Sequence, residues 1–74
     1  MSERKIYRYE FLGLDGAVIQ AEDSSFGQTP KELHLTAQVG LRNINARSIA
    51  TSYIVRDLDS GEIVVRSEDW RDVE

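Results

Sequence analysis

The sequence predicts a small α+β domain of order ββαββ, in which two hairpins form a four-stranded antiparallel sheet and one central helix packs on one face. Three observations predict it. Tyr7, Tyr9 and Phe11 alternate with Arg8 and Glu10, the period-two pattern of a half-buried strand. Thr29-Pro30-Lys31-Glu32 reads as a capping box opening a helix. Tyr53-Ile54-Val55 and Ile63-Val64-Val65 flank Asp59-Ser60-Gly61, which is hairpin chemistry.

In chain order, the first strand spans Lys5 to Leu12 and turns at Gly13-Leu14-Asp15-Gly16, where Asp15-Gly16 suits a tight turn needing positive φ. Ala17 to Ala21 returns, with Val18 and Ile19 as its bulky residues. Glu22 to Gln28 is polar and reads as a loop, with Phe26 expected to fold back on the core. The stretch 29–46 fits two periods. As a helix it places Leu33, Ala37, Gly40, Leu41 and Ile44 on one stripe and leaves Leu35 and Val39 off it. As a strand, Leu33, Leu35, Ala37, Val39 and Leu41 alternate, and the alternative fold is a five-stranded small barrel. The helix is favoured because only it gives the capping box a purpose. Ile49 to Leu58 and Glu62 to Ser67 form the second hairpin, with Gly61 in the left-handed position. Residues 68–74 are either a frayed acidic tail or a short terminal helix.

A chain of 74 residues makes a single domain, and one of this size buries only about 60% of the surface its unfolded form exposes. It has no cysteine and a single histidine, His34, so disulfides, thiolate metal sites and His-pair zinc sites are excluded. Oligomerisation is the one remaining staple for a domain of this size, which favours a homodimer through a strand edge or docking on a larger protein. A hydrophobic fraction of 41% with 30% charged residues is that of a globular chain. No apolar run approaches the roughly 20 residues of a membrane span. Met1-Ser2-Glu3-Arg4-Lys5-Ile6 lacks the apolar core of a secretory signal, and a cytoplasmic setting is expected.

The net charge of −4 is unevenly spread. Residues 1–56 carry seven bases and six acids, whereas residues 57–74 carry seven acids and two bases. An acidic chain is a poor general binder of nucleic acid. Its acidic end suits a basic protein surface, but the favoured reading is that it keeps a small domain soluble.

Motifs for catalysis are missing. His34 alone titrates near neutrality, and on a helix it sits beside the apolar stripe as a boundary residue. No nucleophile elbow appears, and Gly13 and Gly16 match no phosphate-binding loop. Asp57-Leu58-Asp59-Ser60-Gly61-Glu62 fails as a calcium loop, because Glu62 stands where the sixth-position glycine belongs. No catalytic residue, cofactor or metal is assigned.

The aromatic strand of Tyr7, Tyr9 and Phe11, the turn at Asp15-Gly16, the central helix, and a closing hairpin with Val55, Asp57, Gly61, Ile63 and Val64 together resemble a family of small bacterial proteins of unknown function. The resemblance spans most of the chain and implies the ββαββ fold, with no activity attached.

The expected function is that of a non-catalytic protein-interaction or regulatory module: an adaptor, a subunit, or an inhibitor of the phage or plasmid type. Trp70 stands within Glu68-Asp69-Trp70-Arg71, and tryptophan and arginine are enriched among binding hot spots. These four are the candidate protein-binding residues; the other reading of Trp70, and the favoured one, is a tail tryptophan folded back as a lid on the core. The alternative is a small RNA- or DNA-binding domain using Arg4, Lys5, Arg8, Arg42 and Arg47, with Tyr7 and Tyr9 as stacking surfaces.

Overall fold

The computed structural model describes residues 5–44 and 50–69. Strands β1 (Tyr7–Leu12) and β2 (Val18–Ser24) precede helix α1 (Pro30–Ile44), and strands β3 (Ser52–Asp57) and β4 (Ile63–Arg66) follow it. The strands form one open antiparallel sheet in the order β2-β1-β3-β4. Both neighbours of β1 run against it, so α1 links two parallel strands, β2 and β3, across the strand between them. This is the predicted α+β arrangement; β2 and β4 remain as edges, and the sheet does not close into a barrel.

The capping box decides the ambiguous stretch. Thr29 Oγ1 accepts from the Glu32 amide at 3.2 Å, and Glu32 Oε1 accepts from the Thr29 amide at 3.0 Å. Glu32 also accepts from the Gln28 amide at 3.0 Å, so three backbone donors at the helix start are satisfied. The predicted stripe is the buried one: Leu33, Ala37 and Ile44 are buried and Leu41 packs against them. Gly40 belongs to the same stripe because a Cβ there would stand 2.6 Å from the Phe11 ring.

The inner face of the sheet supplies Tyr7, Tyr9 and Phe11 from β1, Tyr53 and Val55 from β3, and Val65 from β4. Antiparallel partners share a face, so β2 sets Ser24, Glu22 and Gln20 beside Tyr7, Tyr9 and Phe11. Those polar residues offer no apolar seat, and the helix rests on β3 and β4 instead. On β2, every residue from Val18 to Asp23 is exposed.

Three sequence expectations are corrected here. Glu22-Asp23-Ser24 is not loop but the end of β2, paired with Tyr9, Arg8 and Tyr7; Arg8 Nε reaches Asp23 Oδ1 at 2.9 Å, and the regular partner strand carries these polar residues into the ladder. Phe26, expected on the core, is 77% exposed. Gly27 takes the buried place instead, packed against the Tyr9 hydroxyl and the Glu32 backbone, while Ser24 Oγ accepts from the Phe26 amide at 3.1 Å and turns the chain so that the ring faces out. His34, expected at the boundary, is 1% exposed.

Both turns follow their sequence chemistry. Gly16 and Gly61 have φ of 81° and 77°, the region glycine enters without steric cost. The second hairpin closes with the Gly61 amide donating to the Asp57 carbonyl at 2.7 Å and the Asp57 amide donating to the Glu62 carbonyl at 2.9 Å.

Candidate interaction surface

Residues 31, 35, 39 and 42 follow helical spacing and share one side of α1. That side is turned away from the sheet. Leu35 and Val39 are 46% and 57% exposed, and Lys31 and Arg42 are exposed beyond them toward the two ends of the helix. The turned-out ring of Phe26 adds to this surface, and Phe26, Leu35, Thr36 and Val39 line a shallow apolar groove. Behind Thr36 lies the buried Tyr9 hydroxyl, close to the Thr36 side chain and the Gly27 backbone. Desolvation pushes its pKa up. The two side chains that helical periodicity leaves off the buried stripe are thus the ones that make a surface. Their spacing of four was the available signal, and for Phe26, the one large apolar residue of a polar loop, an exposed hot spot was the second reading after a core anchor.

The buried polar groups serve the fold. His34 Nδ1 and the Tyr53 hydroxyl are 2.8 Å apart, with their rings edge to face at a centroid distance of 5.8 Å. Burial lowers the His34 pKa, and the nearby Asp69 carboxylate partly offsets this. Asp57 faces inward on β3 and is buried. Its carboxylate accepts from Lys5 Nζ at 2.9 Å and from the Asp59 amide at 2.9 Å. The Lys5 ammonium, first, and the turn amides hold the Asp57 pKa below the usual carboxylate value.

The basic residues considered for nucleic acid are dispersed. Lys5 pairs with Asp57 and Arg8 with Asp23, Arg42 lies on the last turn of the helix, and Arg4 and Arg47 fall outside the described residues. Tyr7 and Tyr9 are buried and present no open ring face for a base. On the sheet's other face Arg8 stands opposite Arg56, and each turns to a carboxylate, Arg8 to Asp23 and Arg56 to Glu10. Those two arginines are thus neutralised, and Arg66, opposite Ile54, stands on the same face.

Of the four candidate protein-binding residues, Glu68 and Asp69 lie in a single 3₁₀ turn after β4, the first exposed and the second half-buried. Trp70 and Arg71 lie outside the described residues. Among the described residues, no group of three or more His, Cys, Asp or Glu side chains could hold a metal ion, and no helix is long and apolar enough to cross a membrane. No family model, curated protein or solved structure matches the chain.

Proposed function

We propose that this chain is a non-catalytic protein-interaction or regulatory module that docks through the outward side of α1. The observation that carries the reading is the exposed apolar set Leu35, Val39 and Phe26, bracketed along the helix by the cations Lys31 and Arg42. Apolar residues at i and i+4 on an exposed helix face leave water-facing surface that association would bury. The cations select the occupant: a protein segment with bulky apolar side chains flanked by carboxylates. Glu32, the acidic residue nearest this side, is committed to the helix cap. A cytoplasmic setting accords with a chain that holds no cysteine.

A random peptide library displayed on phage tests this directly. Selection on the full chain is expected to enrich peptides with Leu, Phe or Trp flanked by Asp or Glu. Those peptides should lose binding to a Leu35→Asp/Val39→Asp variant of unchanged melting temperature and bind Lys31→Glu/Arg42→Glu more weakly. Enrichment of basic peptides, no enrichment, or peptides that bind the folded Leu35→Asp/Val39→Asp variant equally well would overturn the proposal.

A further inference from the structure

We infer that β2 is a self-association edge: two copies of this chain pair β2 to β2 in antiparallel fashion about Ala21, joining their sheets into one of eight strands. The inference is independent of docking through α1, because it concerns the opposite end of the sheet.

The two free edges differ. Each edge ladder carries one register shift, beside Phe11 and Leu12 for β2 and beside Val55 and Arg56 for β4, but β4 is only four residues long, and very short edges resist pairing. β2 is seven residues long and contains neither proline nor lysine; the guards it does carry are the charges Glu22 and Asp23, which a paired register has to accommodate. Among the described residues, its outward backbone groups have no strand partner, and its side chains from Val18 to Asp23 are exposed.

The sequence of β2 complements itself in one register. A two-fold axis through Ala21 sets Gln20 of each copy opposite Glu22 of the other; the regular pairing ends at Ile19, the residue that the β1 ladder skips. No carboxylate then faces a carboxylate, whose direct opposition is unfavourable. Gln20 Nε2 already donates to Glu22 Oε1 at 3.0 Å within one strand, and the paired register repeats that contact twice between copies. Asp23 brings no uncompensated charge, being held by Arg8 at 2.9 Å. At the axis, Ala21 is the smallest side chain of the strand, so the two backbones meet without steric cost. The regular part of the β1–β2 ladder, from Gln20 to Ser24, includes the centre of this contact, and the bulge near Val18 lies at its margin.

The absence of native cysteine makes single-cysteine variants of the full chain specific reporters. Under mild oxidation at hundred-micromolar protein, Ala21→Cys should crosslink with itself about tenfold more than Gln20→Cys or Glu22→Cys, whose diagonal separation exceeds disulfide reach. A mixture of Gln20→Cys and Glu22→Cys should crosslink heterologously. All three positions are exposed, so circular dichroism and melting temperature should match the parent chain. Sedimentation of the unmodified chain should show a dimer at the same concentration. Equal self-crosslinking at all three positions, preferential self-crosslinking at Gln20→Cys or Glu22→Cys, or a monomeric mass with no crosslinking would each overturn the inference.

Discussion

Strands β2 and β3 stand on either side of β1, both antiparallel to it, and each begins or centres on bulky β-branched residues. β3 alternates between half-buried and buried positions from Ser52 to Asp57, whereas β2 is exposed at every position before Ser24. Total hydrophobicity does not separate them; the inward-facing residues do. β3 turns Tyr53 and Val55 toward the helix, and β2 turns Gln20, Glu22 and Ser24 to the same side. Burial of apolar surface gives about 25 cal/mol per Å², so the helix gains by lying over β3 and β4 and gains nothing over β2. The exception on β3 is Asp57, an inward acid made tolerable by the Lys5 ammonium and a turn amide. One half of the sheet therefore carries the stability and the other is left as accessible edge.

The largest test of that division is Phe11→Ala. Phe11 is among the largest fully buried side chains and lies directly beneath Gly40. Truncating a buried phenylalanine costs about 3–5 kcal/mol. A 74-residue domain has only about 4–11 kcal/mol in total, so the variant should be largely unfolded or melt far below the parent chain. A denaturant midpoint close to the parent value would show that the β1–β3–α1 core is not where the stability resides.

Smaller, and confined to the same half, is the effect of pH through His34. Its folded pKa is lowered, chiefly by burial, so between that value and the unfolded value of about 6.5 the unfolded chain binds more protons. The neutral ring's contribution is complete above the unfolded pKa, declines as pH falls toward the folded pKa, and then levels off. Asp23 and Asp57 act in a separate window. Their folded pKa values lie below 3.8, and their contributions are lost as pH falls through those lowered values. Urea unfolding from pH 7 to 5 should show declining stability in the parent chain and a flatter profile in His34→Gln. Equal slopes in the two chains would mean that the His34–Tyr53 contact does not couple to protonation.

The same division governs what could be read from the sequence. The ββαββ order, both glycine turns and the capping box were legible because each depends on neighbours within a few residues. The buried stripe of α1 followed from periodicity, and Leu35 and Val39 were visible as its remainder. Whether that remainder faced solvent or another layer depended on where the helix would lie. The end of β2 was misread because Glu22-Asp23-Ser24 has loop composition, and only the β1 ladder makes it strand. Phe26 was misread for a related reason. A lone aromatic in a polar loop suggests an anchor, but Gly27 fits the space against Tyr9 and Glu32. Lys5 and Arg8, offered by the sequence as bases for nucleic acid, each pair with a carboxylate distant in sequence, Asp57 and Asp23.

The smallest expected effect sharpens the comparison most. Ile19→Thr keeps a β-branched residue, so strand preference is preserved, and removes apolar surface from a side chain that is 41% exposed. The Cδ1 end of its side chain lies near Gly13 in the adjoining turn. At low micromolar concentration the change in unfolding free energy should stay within about 0.5 kcal/mol. A loss well above that in dilute solution would mean that β2 is packed within the monomer, and the division between the two sides of β1 would fail. A loss that emerges only as protein concentration rises would mean that Ile19 is buried by association. A strand that contributes little to its own fold would then be holding two copies together.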